Sequence, residues 1–121
     1  MLGRTVFAVV MAFAVSGSAS AAGVVKRDAL LKVSPGQTKD EIAKLLGPPG
    51  NRTFLDAAEA WQYCRTGIST DEYTTLWFKD GTVRALTTLN AAIAQGFCSG
   101  RWPPVDWGQA PPDIRVRVEQ R

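Results

Sequence analysis

Histidine is missing from this 121-residue chain. Its absence removes the usual general base, the commonest metal ligand and every Ser–His or Cys–His nucleophile pair. Cysteine is confined to Cys64 and Cys98, too few for a tetrahedral cysteine and histidine zinc site, and not spaced as C-x-x-C. Methionine occurs only at Met1 and Met11. There is no phosphate-cradling loop, because Gly47-Pro-Pro-Gly50 lacks both the lysine and the helix that should follow. Long apolar runs are also lacking. The stretch Val6 to Val15 has ten residues, and at about 1.5 Å each it falls short of a hydrocarbon core roughly 30 Å thick, so no transmembrane segment is expected. An excess of one charge is absent too: 14 basic residues face 11 acidic ones, for a formal net charge of +3. The charges are scattered rather than clustered on a basic face, which argues against nucleic acid as a partner.

What is present begins with a targeting signature. Arg4 precedes the apolar run, and Ala19-Ser20-Ala21 offers a small-x-small cleavage site. Residues 1–21 are therefore expected to be a signal peptide. Cleavage after Ala21 removes Arg4 and both methionines, leaving 13 basic against 11 acidic residues, a balance of +2. No cysteine stands near the cleavage point, so the expected product is periplasmic or outer-membrane-associated without being a lipoprotein. In such an oxidising compartment Cys64 and Cys98 are expected to form a disulfide rather than free or redox-active thiols.

The remaining pattern predicts an α+β domain. Val24 to Val33 carries Ala29, Leu30, Leu31 and Val33 among charged residues and predicts a short helix, broken by Ser34-Pro35-Gly36. Thr38 followed by Glu41 predicts a capping box, and Ile42, Leu45 and Leu46 form one apolar stripe. Gly47 ends that helix and Pro48-Pro49 forbid its continuation. Gly50 to Ala57 reads as loop, with the sequon Asn51-Arg52-Thr53 as a loop motif. Strands are then predicted at Glu59–Arg65, Glu72–Lys79 and Thr82–Leu89, the last two joined by the hairpin turn Asp80-Gly81. That turn predicts Phe78 opposite Val83 and Leu76 opposite Ala85 on a face suited to Ile42, Leu45 and Leu46. On the other face it sets Trp77 opposite Arg84, in cation–π geometry, and Thr75 opposite Leu86. With Trp61 and Tyr63 turned to the helices, Cys64 points to the second face, and a bond to Cys98 pulls the chain after Asn90 across it. Gly100 to Pro112 is too rich in proline for regular structure, whereas Asp113 to Glu119 alternates as an edge strand, its Arg115 and Arg117 forming a solvated face.

The carboxylates Asp40, Glu41, Asp56, Glu59, Asp71, Glu72 and Asp106 do not converge on one site by spacing. Asp40 and Glu41 suit a helix first turn, and Asp71-Glu72 reads as a turn. No catalytic, cofactor-binding or metal-ligating set is predicted, and an enzyme is not expected. Four tryptophans are the other unusual feature. Trp61 reads as core. Trp77, Trp102 and Trp107 have two readings: a satellite cluster in which the proline-rich tail covers Trp77, or an exposed aromatic patch that anchors an interface.

In order and spacing, Pro35-Gly-Gln-Thr-Lys-Asp-Glu-Ile42, Leu46-Gly-Pro-Pro49, Trp61-Gln-Tyr63 and Phe78-Lys-Asp-Gly-Thr-Val83 resemble the SmpA/OmlA family, the domain of the BamE-like outer-membrane assembly factors. The resemblance covers about Ala29 to Leu89. It implies two short helices on a three-stranded antiparallel sheet and a non-catalytic envelope role in binding other proteins. Secreted β-lactamase-inhibitory proteins look similar in plan, which gives the alternative of an enzyme inhibitor inserting the Thr66–Asp71 loop into a cleft. The expected organisation is a signal peptide at 1–21, an SmpA/OmlA-like domain at 22–90 and a disulfide-pinned extension at 91–121. Trp77, Arg84, Trp102 and Trp107 are the candidate protein-binding residues, for envelope partners and for a peripheral outer-membrane association; no cofactor is expected.

Overall fold

The computed structural model describes residues 22–67, 70–92, 98 and 102–119; the expected signal peptide lies outside them. The chain runs α1 (Arg27–Leu30), α2 (Lys39–Leu46), β1 (Asn51–Leu55), β2 (Ala58–Thr66), β3 (Thr70–Lys79), β4 (Thr82–Ala92), a 3-10 turn at Trp107–Gln109, and α3 (Pro112–Glu119). The four strands form one antiparallel sheet in the order β1-β2-β3-β4. The α+β class and the antiparallel sheet are as expected, but the strand count is four rather than three.

The capped helix forms where the sequence places it. Glu41 N–H donates to Thr38 Oγ1 at 3.2 Å, and Thr38 N–H donates to Glu41 Oε1 at 3.3 Å. Gly47 closes the helix at φ 78°, a left-handed conformation that glycine adopts without a Cβ penalty. Ile42 and Leu46 are buried against Trp61, Tyr63, Leu76, Phe78 and Val83, so the first face of the sheet meets α2 as expected. Each large apolar side chain buried there contributes about 1.5–3 kcal/mol. The phenol of Tyr63 donates to the Gly47 carbonyl at 2.8 Å, which satisfies its hydroxyl and ties the helix end to β2.

The additional strand, β1, corrects the loop expected over Gly50–Ala57. It pairs Asn51 with Gln62 and Leu55 with Ala58 around a two-residue connection, Asp56-Ala57. Asp56 takes the left-handed backbone at φ 55°, which an aspartate tolerates better than most residues. The N-terminal segment is also more extended than expected. Only Arg27–Leu30 is helical, and Val24 instead forms a parallel bridge with Cys64. Cys64 N–H donates to the Gly23 carbonyl at 2.7 Å, and Val25 N–H donates to the Cys64 carbonyl at 3.0 Å. The backbone of β2 beyond the end of β1 is satisfied in this way.

The β3–β4 hairpin departs from the expected register by one residue. Phe78 does face Val83, but a bulge between Trp77 and Phe78 brings Ala85, not Arg84, opposite Trp77. Arg84 is the extra residue, and it is exposed. The predicted Trp77–Arg84 stack is therefore absent. Every later pair shifts as well, so Leu76 faces Leu86 and Thr75 faces Thr87. The one cation over a ring among the described residues is Arg52, 4.9 Å from the Trp61 centroid.

The second face is closed by the C-terminal segment. Cys64 and Cys98 are joined by a disulfide with their Cα atoms 5.8 Å apart. Beyond it, Ala110 and Ile114 are buried against Ala58, Ala60 and Trp77. Residues 112–119 are helical, which corrects the expected edge strand. Pro112 suits the first helical position, where its missing N–H costs nothing, and the Pro111 carbonyl accepts from Ile114 and Arg115 at 2.9 Å. Ile114, at 2% exposure, anchors the start of the helix.

Candidate functional site

The expected contact residues do not form one surface. Trp77 is 1% exposed, its ring lies edge-on to Trp107 with centroids 5.4 Å apart, and its Nε1–H donates to Thr87 Oγ1 at 2.9 Å. Trp107 and Trp102 are half-buried. Trp102 meets Tyr73 edge-on at 5.6 Å and passes so close to Gly50 that a Cβ there would stand 1.7 Å from its ring. This is the satellite cluster, in which the tail covers Trp77. Of the four residues only Arg84 is exposed.

Two carboxylates that spacing does not bring to one site, Glu59 and Asp71, are buried. Glu59, 2% exposed, accepts from Trp61 Nε1–H at 2.7 Å and from Arg52 at 3.0 Å, and also pairs with Lys39. Burial pushes its carboxyl up, but the hydrogen bonds from Lys39, Trp61 and Arg52 outweigh burial and hold it below the ordinary value of 4.5. With these partners Glu59 fastens α2 and β1 to β2. A group with its folded value lowered contributes stability that is present above the unfolded value and lost as pH falls through the folded one. Between about pH 6 and about pH 3 the wild type should therefore lose more stability in urea titrations than Glu59→Gln, and equal losses would contradict this role.

Asp71 is not in a turn. It is the second residue of β3, is fully buried, and accepts the Cys98 N–H at 2.8 Å through Oδ2. Cys64, Asp71 and Cys98 bring their ligand-type atoms within 4.8 Å of one another, but the two sulfurs are consumed by their mutual bond. Burial raises the phenols of Tyr63 and Tyr73, with Asp71 adding to the effect at Tyr73, so neither is poised as a base near neutrality.

An open concavity lies elsewhere, on the helix face beyond α2. Its volume is about 390 Å³, and it lies between α1 and the outer halves of β2, β3 and β4. Leu30, Leu31 and Leu86 supply apolar surface, with Thr74 and Thr88 on the sheet and Arg27, Arg65 and Glu72 at the rim. Leu31 is 71% exposed and Leu86 41%. Arg65 donates to Glu72 at 3.0 Å, yet its Nε is buried with no hydrogen-bond partner.

Sequence reasoning missed this cleft for a definite reason. Without the bulge, Leu86 belongs to the second face; the one-residue shift moves it to the first, beside Leu31. A second, smaller groove of about 180 Å³ lies on the other face, where Thr87 and Leu89 meet Pro103, Pro104 and Gln109. No described helix is long and apolar enough to cross a membrane. The chain matches no protein-family model, and no curated protein matches it.

Proposed function

We propose that the chain is a non-catalytic, exported protein-binding domain of the cell envelope, similar in plan to the SmpA/OmlA domains. The observation that carries this reading is the pair of exposed leucines, Leu31 and Leu86, flanking a cleft that Arg27, Arg65 and Glu72 also line. Apolar surface framed by polar groups is the usual anatomy of a protein contact. The apparent export signal at 1–21 supports placement in the periplasm or at the outer membrane. The tryptophans then serve the fold, and Arg84 remains the member of the original set available to a partner.

The inhibitor alternative draws less support. Thr66 ends β2, Thr70 and Asp71 begin β3, and Asp71 is buried beside the disulfide, so only residues 67–69 connect the two strands. Gly67 N–H donates to the Thr70 carbonyl at 2.8 Å, which draws the two strand ends together.

The test is capture of partners from crosslinked envelopes by wild type and by a Leu31→Lys/Leu86→Lys variant. A partner recovered by the first and depleted at least about tenfold by the second is expected, equivalent to about 1.4 kcal/mol. Recovery from an exclusively cytoplasmic, uncleaved pool, or equal capture by both, would overturn the reading.

A further inference from the structure

We infer that the outer edge of β4 between Ala85 and Ala92 accepts an extended, acidic segment of another protein as a fifth strand. This deepens the protein-binding reading and rests on it. An edge strand offers a row of unpaired N–H and C=O groups, and folded proteins ordinarily cover, shorten or charge such edges. Two of the three stretches of edge in this sheet are managed in that way. β1 has five residues, carries Arg52, and is continued along β2 by the Gly50 N–H bond to Gln62 and the Val24 bridge to Cys64. The start of β4 is covered by the loop before α2: Gly36 N–H donates to the Val83 carbonyl at 2.8 Å, and Val83 N–H donates to the Gln37 carbonyl at 2.9 Å. From Ala85 to Ala92, no described residue gives the outer edge a backbone partner. This stretch holds no lysine, glutamate, aspartate or proline.

Both faces beside the open edge are prepared for side chains. Leu86 and Thr88 border the cleft on the helix face, while Thr87 and Leu89 border the groove on the other face. Leu86 is 41% exposed and Leu89 50%. An added strand sends alternate side chains to opposite faces, so it would fill the cleft and the groove together.

Charge decides between the occupants. Arg27, which lines the cleft, and Arg84, exposed at the bulge, have no ion-pair partner among the described residues. A second copy pairing edge to edge would bring no acid, because Thr82–Ala92 contains none and adds Arg84. A foreign strand with Asp or Glu on the side facing the cleft supplies a partner for Arg27.

The experiment places a photo-crosslinking residue at Leu89, and separately at the more exposed Phe54 on β1 as a control, in the full chain within intact envelopes. The expected result is a hetero-adduct from position 89 and none from position 54. The adduct should map to an acidic, alternating segment. A synthetic peptide of that segment should slow amide exchange at 85–92 by about tenfold or more, bind more weakly in high salt, and lose affinity to Arg27→Glu. An adduct to a second copy, equal adducts from both positions, or protection outside β4 would overturn the inference. If wild type captures a partner sensitive to the Leu31 and Leu86 changes but position 89 yields no adduct, the strand-addition inference fails and the protein-binding reading stands. If nothing is captured at all, both fail.

Discussion

Trp77→Ala is expected to destabilise the domain by about 3–5 kcal/mol, as a lower urea midpoint read by far-ultraviolet circular dichroism. The residue is 1% exposed and sits under Trp107, with Ala58, Ala60, Ala85, Ala110 and Ile114 around it. Those neighbours are mostly alanines, too small to close the space that an indole leaves. The change also strands the Thr87 hydroxyl, which accepts the indole N–H at 2.9 Å. Against a net stability of about 5–15 kcal/mol, such a loss is a large share. Trp77→Phe, which keeps a ring against Trp107, should lose less than the alanine variant. Combined with Trp107→Ala, the alanine change should be non-additive by about 0.5–1.5 kcal/mol, because both remove one ring pair. A loss under about 1 kcal/mol would show that the ring is solvent-facing and revive it as a contact residue.

The second large effect concerns the disulfide. Replacing Cys64 and Cys98 together by alanine should cost roughly 3–4 kcal/mol in the chain-entropy account, given the sequence separation of 34. The structure adds contributions of its own. The bond holds Cys98 where its N–H meets buried Asp71, and it anchors the segment that brings Trp102 against Tyr73 and Trp107 against Trp77. Loss of the cross-link should therefore loosen the second face more than the helix face. Near-ultraviolet signals from the tryptophans should weaken while the helical signal of α2 persists. In unreduced, denatured wild type no thiol should react with an alkylating agent; two reactive thiols would contradict the bond itself.

Much of this arrangement was legible in the sequence where local chemistry and global packing agree. Thr38, Glu41 and Gly47 mark both ends of α2 by side-chain and backbone requirements that do not depend on tertiary contacts. Asp80-Gly81 fixes a tight turn, with Asp80 at φ 53° and Gly81 at φ 84°. The alternation of Trp61, Tyr63 and Cys64 gives the faces correctly, and with them the pairing across the second face.

The misses have physical causes too. Asp56-Ala57 is not among the favoured hairpin pairs, so β1 depends on Asp56 tolerating a left-handed backbone next to a ready-made β2 edge. The bulge at Arg84 is a choice of hydrogen-bond pattern that leaves no mark in the residue types, yet it decides which face Leu86 occupies. α3 shows that seven alternating residues do not demand a strand when Pro112 favours a helical start and Ile114 is buried within its first turn. The candidate cleft was invisible for the same reason as the bulge, since α1 and β4 come together only after that shift.

The most direct test of the protein-binding account is a single comparison of envelope capture by Trp107→Ala and by Leu31→Lys, each checked for folding and for the intact disulfide. The account predicts that the first retains the partner and the second loses it. Loss in Trp107→Ala with retention in Leu31→Lys would place the contact on the tryptophan side and contradict the account.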